Sequence, residues 1–380
     1  MRVLYVAPRY HTNQLPIVKG WVANGHEVMF ISQFCAALED YSILKPIVLG
    51  YWKPIDILVH TISKLRYGKQ YTVEREYALK IKAGLPPIGK MKKYIKQFQP
   101  DIVILRERSI YNIPFYQYCK KKNILCILYN QSPVWDNPQR DGGIGHRILL
   151  RFLPKYRITP VLGKREQNTV EMKNSFYVPF VIEPHVKPAE KEHFRDGKIQ
   201  MICVGRYEER KNLFMLIEVI NELSKKYELF LTIVGEATDE GQEQYYEKLI
   251  NKVKEYGLDS KVALLKNLEQ EKLYEQYRRA DIFVLPSTRE RASVSQLEAM
   301  SCCVPTICSN TNGTACYVKN GKNGYIFRDM DRDDLKQKIE LAVANKEKLV
   351  QMGINSYNEV MEEYQFPNYY HSILNIIGLE

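Results

Sequence analysis

Two glutamates eight positions apart, Glu290 and Glu298, lie in a segment whose residue types could bind a sugar and a phosphate. The segment follows an apolar run and precedes a helix predicted to begin near Ser293. A helix N-terminus offers free N–H groups and a positive dipole end, and both favour phosphate. Glu290 could accept hydrogen bonds from sugar hydroxyls, and Glu298 could take a ribose diol. An ordinary capped helix with a solvated glutamate gives the same spacing, so the segment alone decides nothing.

A second candidate loop runs from Gly205 to Asn212 and contains Arg206 and Lys211. It follows a predicted strand, and Gly205 would allow a tight turn. Two cations at the carboxyl end of a strand suit a diphosphate leaving group, whose developing negative charge needs stabilisation. A solvated basic loop is the alternative for this segment taken by itself.

Short apolar strands alternate with helices in both halves of the chain, which is typical of parallel, doubly wound sheets. The predicted strands are Val3–Ala7, Glu27–Ser32, Ile102–Leu105, Leu125–Tyr129, Gln200–Val204, Leu229–Val234, Val262–Leu265, Ile282–Leu285 and Thr306–Cys308. The predicted helices are Ile17–Asn24, Lys90–Phe98, Ile113–Lys122, Leu213–Lys225, Tyr245–Tyr256, Gln270–Ala280, one from about Ser293 and one from about Asp333. Ligands of such sheets bind at the carboxyl ends of the strands, where two facing sheets make a cleft.

A proline-rich, charged stretch interrupts this alternation and predicts a domain boundary. We therefore expect a first domain over 1–180, a linker over 181–198, a second domain over 199–363 and a terminal helix over 364–380 that crosses back to the first domain.

Taken together, the two loops make the chain resemble glycosyltransferase family four, the retaining group 1 enzymes of the GT-B fold. That family pairs Arg-x4-Lys with Glu-x7-Glu, and Arg206, Lys211, Glu290 and Glu298 match both spacings in the right order. Further matches lie at Gly25–Val28, Ala280–Ser287, Leu297–Met300, Pro305 and Asn323–Ile326.

The resemblance implies two Rossmann-like domains facing a central cleft, with acceptor on the first and nucleotide-sugar on the second. Arg206 and Lys211 would hold the donor diphosphate, Glu290 the sugar hydroxyls and Glu298 the ribose. The implied catalytic residues are Glu290, Arg206 and Lys211. The implied nucleotide-sugar site comprises Gly205, Arg206, Lys211, Lys266, Asn267, Leu268, Glu290, Ser293, Val294 and Glu298. Neither a cofactor nor an obligatory metal is expected.

The chain departs from the family's pattern at several positions. The glycine pair of the first loop is replaced by residues that include His11 and Thr12, and the frequent acceptor-side histidine is replaced near Gln131. Those three residues are the candidates for acceptor or cleft contacts. Ser293 stands at a usual glycine, and Cys316 at a usual glutamate.

Charge is uneven along the 380 residues. Residues 1–180 contain 28 Lys and Arg against 12 Asp and Glu, whereas the whole chain has a net charge of +11. A basic first domain, with an amphipathic basic segment at 145–157 and lysines between 90 and 96, suits an anionic membrane surface. A buried helix with a solvated basic face is the alternative.

The remaining sequence patterns say less about function than the two motifs do. Asp329-Met330-Asp331 precedes a helix and is interpreted as a helix start, not a metal site. Gly142–Gly145 lacks the setting of a dinucleotide fingerprint, and no nucleic-acid-binding module is present. The eight cysteines show no paired spacing, and no run of 18 uncharged apolar residues occurs. A cytoplasmic protein without a membrane span is therefore expected. The basic first domain leaves a peripheral position on the inner face of the plasma membrane open beside it.

The predicted function is retaining transfer of a hexosyl or N-acetylhexosaminyl group from a nucleotide-sugar, with a UDP-sugar as first candidate. The predicted acceptor is a glycan, a lipid-linked saccharide or a polymer of bacterial-type surface polysaccharide assembly. Two alternatives stay open: a nucleotide-sugar epimerase or hydrolase of the same fold, and a non-catalytic basic binding protein.

Overall fold

A computed structural model describes residues 1–35, 39–107, 109–136, 154 and 156–379, apart from the side chains of Thr12 and Glu74. These residues form two compact units. Unit 1 comprises Met1–Val181 and the chain from Tyr369 onward, and unit 2 comprises Ile182–Asn368. Strands and helices are numbered below over the described residues.

Unit 1 is built on a parallel sheet. Its strands are β1 (Arg2–Ala7), β2 (Glu27–Ser32), β3 (Ile47–Val48), β4 (Ile102–Arg106), β5 (Leu125–Tyr129), β6 (Trp135–Asp136), β7 (Arg157–Thr159), β8 (Val170–Glu171) and β9 (Ser175–Tyr177). Its first helices are α1 (Leu15–Ala23), α2 (Lys53–Tyr67), α3 (Val73–Ala83), α4 (Ile88–Phe98) and α5 (Ile113–Lys121). The sheet order over the described residues is β3-β2-β1-β4-β5-β7-β9, while β6 and β8 form a separate antiparallel pair.

The central strand β1 is buried on both faces, as its continuous apolar sequence requires. Val3, Leu4 and Val6 are at most 1% exposed. β1 pairs in parallel with β2 on one side and with β4 on the other. The carboxyl ends of β1, β4 and β5 therefore share one edge of the sheet.

Unit 2 repeats this design with its own strands and helices. Its strands are β10 (Ile199–Val204), β11 (Leu229–Gly235), β12 (Val262–Lys266), β13 (Ile282–Leu285), β14 (Thr306–Ser309) and β15 (Gly324–Phe327). Its helices are α6 (Leu213–Leu223), α7 (Glu240–Glu255), α8 (Gln270–Arg279), α9 (Val294–Ser301), α10 (Arg332–Val343) and α11 (Lys346–Glu363), and α12 (Phe366–Ile377) follows. The sheet order is β12-β11-β10-β13-β14-β15 over the described residues.

This topology positions the candidate site. β10 pairs in parallel with β13, with Met201 opposite Ile282 and Ile202 opposite Phe283. The loop after β10 and the loop after β13 must therefore leave the sheet side by side. These loops contain the two sequence motifs.

The predicted fold class is confirmed: both units have parallel sheets flanked by helices. No element was predicted over α2, α3 or α11. In α2, large apolar side chains lie on the solvent side as well as the inner side, so a single apolar stripe is hard to recognise.

Residues of the expected linker, 181–198, make hydrogen bonds inside unit 2. The Lys191 ammonium donates to the carbonyls of Tyr277, Arg278 and Ala280 at 3.2, 2.8 and 2.7 Å. It thereby caps the C-terminus of α8, whose last carbonyls have no partner in the helix. Burial lowers the pKa of Lys191 to about 8.

Unit 1 also includes most of α12. The Tyr369 hydroxyl lies 3.2 Å from that of Tyr5, which in turn accepts a hydrogen bond of 2.9 Å from the Trp21 indole. Over the described residues, no helix combines the length and apolarity that a membrane span requires.

Candidate functional site

The two motif loops of unit 2 are joined by hydrogen bonds at the carboxyl edge of the sheet. The side-chain amide of Asn212 donates to the carbonyl of Pro286 at 2.9 Å. The backbone N–H of Thr288 donates to the carbonyl of Arg210, also at 2.9 Å. Asn212 has φ of +50°, a left-handed conformation that asparagine tolerates better than most residues, so it ends the first loop without a glycine.

Lys211 and Glu290, which sequence reasoning assigned to one site, are in direct contact. Their Nζ and Oε2 atoms are 2.6 Å apart, and their side chains are 10% and 14% exposed. Arg210 also donates to Glu290 Oε2, at 2.8 Å, and to Glu208. A nearly buried carboxylate thus receives two cationic donors from the neighbouring loop.

The ionisation of Glu290 follows from these contacts. Burial by itself would raise the pKa of the carboxyl. The charge of Lys211 and the hydrogen bonds from Lys211 and Arg210 outweigh burial, so the pKa of Glu290 lies below its ordinary value of 4.5. Glu290 is therefore a carboxylate at neutral pH, able to accept hydrogen bonds from hydroxyl groups.

Gly205 has a specific role beneath Lys211. A Cβ atom at this position would lie 2.8 Å from Cε and 3.0 Å from Nζ of Lys211. The lysine stem therefore crosses directly over the glycine backbone. The absence of a side chain at residue 205 lets the ammonium reach Glu290.

Glu298 lies inside α9 and has a different environment. Its Oε2 atom accepts a hydrogen bond of 2.9 Å from the hydroxyl of Tyr277, a fully buried residue. Burial raises the pKa of Glu298 above 4.5, and the hydrogen bond from Tyr277 opposes that shift. The two motif glutamates are thus held by different partners and shifted in opposite directions.

A buried polar network fixes the start of α9. Gln296 donates to the Thr314 carbonyl at 2.9 Å and accepts from the Asn312 side chain at 2.9 Å. The Thr314 hydroxyl accepts from the Ser293 N–H at 3.3 Å. The N–H of Gly313 donates to the Glu290 carbonyl at 2.8 Å. The segment 312–314 therefore holds both the Glu290 backbone and the N-terminus of α9, whose first residue is Val294.

Arg206 is placed differently from Lys211. Its side chain is 53% exposed, and its Nε atom lies 3.4 Å from Glu236 Oε2 at the end of the neighbouring strand. An exposed guanidinium with one long ionic contact is available to an anionic ligand at little cost.

The three residues predicted near the base follow β12 or end it. The Lys266 ammonium contacts the Glu243 carboxylate at 2.8 Å, and Leu268 packs against the core of unit 2. Asn267, with φ of +55°, exchanges two hydrogen bonds of 3.0 Å with the backbone of Ala237. The Asn267 amide therefore ties the ends of β11 and β12 together.

The acidic pair before α10 is occupied by structural contacts. Asp331 caps α10 by accepting from the N–H of Asp334 at 2.9 Å, and Asp329 accepts from the Thr288 hydroxyl. Asp331 therefore lies at the helix start, whereas Asp329 contacts the loop after β13. Within the part of the chain that the structure describes, no group of three or more His, Cys, Asp or Glu side chains is arranged to hold a metal ion.

In unit 1, the acceptor-side candidates follow the carboxyl ends of β1 and β5, the two strands that flank β4. His11 follows β1, and its ring accepts from Arg9 at 3.2 Å. Gln131 follows β5 and accepts from the Arg106 guanidinium at 3.2 Å. The backbone of Thr12 lies in a short 3-10 turn after β1. Arg106 also lies over the ring of Tyr129, at 4.8 Å from its centroid.

Parts of the basic-surface prediction fall outside the described residues. These are, apart from 154, 156 and 157, the residues of the segment 145–157; the glycine-rich stretch Gly142–Gly145, which was set aside as a dinucleotide fingerprint, also lies outside the described residues. The lysines of α4 are described, and Lys90, Lys92, Lys93 and Lys96 are exposed.

Sequence reasoning missed Arg210, Tyr277, Gln296 and Thr314. Arg210 precedes Lys211, so its charge was visible, but its direction depends on the loop. Gln296 lies between the two glutamates, and a polar side chain on the inner side of a short helix is a signal for a buried network. Nothing in the sequence pairs Tyr277 with Glu298.

Comparison with known proteins shows that most of unit 2 matches a family model. Residues 187–359 match the family model described as glycosyl transferases group 1. The mannosylfructose-phosphate synthase of Agrobacterium fabrum is 31% identical over 37% of this chain and 31% of its own length. A probable sucrose-phosphate synthase of Thermosipho melanesiensis is 29% identical over 53% of this chain and 47% of its own length.

A GDP-mannose-dependent alpha-(1-6)-phosphatidylinositol monomannoside mannosyltransferase of Mycolicibacterium smegmatis is 24% identical over 49% of this chain and 50% of its own length. The chain thus spans half or less of the length of these three relatives.

Solved structures match over almost the whole chain. A glycosyltransferase from Rickettsia africae superposes with a TM-score of 0.72 at 13% identity, covering 99% of this chain and 97% of its own. Anabaena HepE in complex with UDP superposes with a TM-score of 0.70 at 12% identity, covering 100% of both chains. Likeness at this level of identity establishes the fold. The chain therefore has the GT-B fold, and its residues 187–359 match the group 1 glycosyltransferase model.

Proposed function

We propose that this protein transfers a sugar from a nucleotide-sugar to a saccharide acceptor with retention of anomeric configuration. The observation that carries the proposal is the Glu290 carboxylate held 2.6 Å from the Lys211 ammonium, between two hydrogen-bonded loops and before the N-terminus of α9. A carboxylate for hydroxyl groups, a cation for phosphate and a helix N-terminus meet there.

The proposed role of each residue follows from its charge. Lys211 and Arg206 bind the diphosphate, and Glu290 accepts from sugar hydroxyls. Glu298, held by Tyr277, accepts from the ribose diol, while the backbone N–H of Val294 and the segment 266–268 complete the donor site. Gly205 allows Lys211 its position.

In the chemical step, the bond between the anomeric carbon and the diphosphate oxygen breaks. A bond from the acceptor hydroxyl oxygen forms on the same face of the sugar. The acceptor proton passes to an oxygen of the leaving phosphate, and the cations stabilise the negative charge that develops there. Neither a cofactor nor a metal ion has a step in this proposal.

The donor and the acceptor are proposed by class. A UDP-sugar carrying a hexose or N-acetylhexosamine is the first candidate, supported by the fold shared with HepE in complex with UDP. The GDP-mannose-dependent relative makes GDP-sugars the second. Acceptors of surface polysaccharide or glycolipid assembly are supported by likeness to the lipopolysaccharide outer core galactosyltransferase WaaB, with a TM-score of 0.66 at 17% identity. His11, Thr12 and Gln131 are proposed acceptor-side residues.

The test begins with a thermal-shift screen of UDP-, GDP- and ADP-sugars, since a ligand that binds only folded protein raises Tm. The donor found is then incubated with the protein, and the sugar released by slow hydrolysis is followed by proton NMR. The first anomer detected should have the donor's configuration. Release of the opposite anomer would contradict retention, and the absence of any stabilising nucleotide-sugar would contradict the proposed function.

A further inference from the structure

Helix α2 of unit 1 presents an apolar face to solvent. Ile57, Leu58, Ile62 and Leu65 are 65%, 52%, 45% and 81% exposed. At 100° per residue, these four side chains fall within one side of the helix. Single exposed apolar residues are ordinary, but several on one face mark a surface that meets something other than water.

The opposite side of α2 is already packed. Val59 and Ser63 are buried. Asp56 forms an ion pair of 2.7 Å with Lys80 of α3, and His60 lies 2.7 Å from Glu76 of the same helix. The helix is therefore anchored through its inner side, and the exposed apolar face is its outer side.

Cations line the edges of this outer face. Helical spacing places Lys53 and Lys64 along one edge and Arg66 along the other, and all three are exposed. The acidic residues Asp56 and Glu76 lie on the inner side in contact with Lys80. The outer face thus combines an apolar centre with a cationic rim.

An aromatic side chain stands at one end of the face. Trp52 immediately precedes α2 and is 48% exposed. An indole is suited to a boundary between apolar and aqueous phases because its ring is apolar and its N–H is polar. On α3, Val73 and Tyr77 are also exposed, at 55% and 39%.

We propose that the outer face of α2 (Ile57, Leu58, Ile62 and Leu65, with Lys53, Lys64 and Arg66) lies in the interface of an anionic lipid bilayer. An interfacial helix has an apolar side that enters the acyl boundary and basic residues that meet the headgroups. Each basic residue near an anionic leaflet adds to the attraction. The proposal does not depend on the proposed function, because it concerns only where unit 1 attaches.

Charge complementarity favours lipid over a second copy of the chain. In a two-fold dimer through this face, the same cationic rim would meet itself, and like charges would repel. An anionic bilayer instead offers negative headgroups around an apolar interior. The apolar centre and the cationic rim both find partners there.

The test is flotation of the full chain with phosphatidylcholine vesicles that do or do not contain phosphatidylglycerol. We expect binding to the anionic vesicles and, on binding, a blue shift of the tryptophan fluorescence, to which Trp52 contributes. Leu58→Glu and Leu65→Glu should each weaken binding by about tenfold or more, since each removes a buried apolar side chain and adds a repelled charge. Leu341→Glu on α10, which changes a residue 47% exposed in unit 2, is the matched control and should bind as the unaltered protein does.

Circular dichroism and sedimentation of the same variants make every outcome informative. Folded, monomeric Leu65→Glu that no longer floats supports the proposal. Absence of vesicle binding by the unaltered protein, or equal binding by Leu65→Glu, overturns it. A dimer of the unaltered protein that Leu65→Glu dissociates, without vesicle binding, overturns it in favour of self-association.

Discussion

Two neighbouring groups, the Gly205 backbone and the Glu290 carboxylate, position the Lys211 ammonium. The Gly205 backbone beneath it requires that residue 205 carry no side chain, and the Glu290 carboxylate 2.6 Å away requires a cation. Both demands are met within a site that is nearly closed to water, where a charge-assisted hydrogen bond is stronger than on the surface. The positions of the Gly205 and Glu290 atoms therefore determine whether the Lys211 ammonium is available to bind phosphate.

Gly205→Ala should weaken donor binding without unfolding the protein. The new Cβ would meet the far end of a flexible lysine, which can shift at low cost but then leaves Glu290. We expect donor affinity to fall by about tenfold, the scale of one charge-assisted hydrogen bond, with Tm nearly unchanged. Titration calorimetry measures the affinity.

Gly89→Ala is the control, because a Cβ at residue 89 meets nothing within 4 Å. Its donor affinity should equal that of the unaltered protein. A Gly205→Ala variant with normal affinity would mean that the contact between Lys211 and Glu290 is not needed for donor binding.

The ionised Glu290 gives stability a predictable dependence on pH. Its pKa is lowered in the folded state, so the stability it contributes is present above its unfolded value of about 4.5 and is lost as pH falls through the folded value. Glu290→Gln lacks this contribution. The Tm difference between the unaltered protein and Glu290→Gln should therefore be largest near neutral pH and shrink below pH 4.5.

Differential scanning calorimetry at several pH values measures this difference. Glu271→Gln removes an exposed carboxylate paired with Arg278 and should change Tm little at any pH. A constant gap for Glu290→Gln over the whole range would contradict the assignment of a depressed pKa.

Some residues of the site were predicted from the sequence and others were not, and the difference has a physical reason. Lys211 and Glu290 were paired by motif spacing, and the structure brings them together. Arg210 and Tyr277 were not, because neither lies at a motif position: the direction of the Arg210 side chain depends on the loop, and nothing in the sequence pairs Tyr277 with Glu298. Arg206 was treated as equivalent to Lys211, yet it is exposed and lies against Glu236.

At the scale of elements, the site depends on a parallel pairing and a buried network. The pairing of β10 with β13 places the two loops next to each other. The segment 312–314 holds the Glu290 backbone and the start of α9 through hydrogen bonds. The strands were predictable because buried parallel strands are continuous apolar runs. The buried network was not predictable, because its members are separated along the chain and polar residues are expected at the surface.

Gln296→Ala tests the network. The substitution leaves the Asn312 amide and the Thr314 carbonyl without their partner in a fully buried place, which costs about 1–3 kcal/mol. We expect a lower Tm and weaker donor binding together, because the Glu290 loop is tied to the same segment.

Gln351→Ala on α11 is the matched control, since it replaces an exposed glutamine in a helix of the same unit. It should leave both quantities unchanged. A Gln296→Ala variant that loses stability but keeps full donor affinity would show that the network supports the fold alone.

At the scale of the whole molecule, chemistry and charge are divided between the two units. Unit 2 contains the described donor-site residues, and unit 1 contains the basic surface and the outer face of α2. The charge asymmetry was visible in the sequence, but the exposed apolar face was not. The exposed side of α2 is the one that does not pack against α3. Because apolar residues lie on both sides of the helix, the sequence alone does not identify the packed side.

The central claim is that Lys211, held against Glu290, binds the diphosphate of a nucleotide-sugar. The most direct test is calorimetric titration of the donor identified by thermal shift into the unaltered protein, Lys211→Ala and Lys226→Ala, a surface lysine paired with Glu340. We expect Lys211→Ala to lose about 100-fold or more in affinity, about 3 kcal/mol for a desolvated charged partner, and Lys226→Ala to bind normally. Equal donor affinity of Lys211→Ala and the unaltered protein would contradict it.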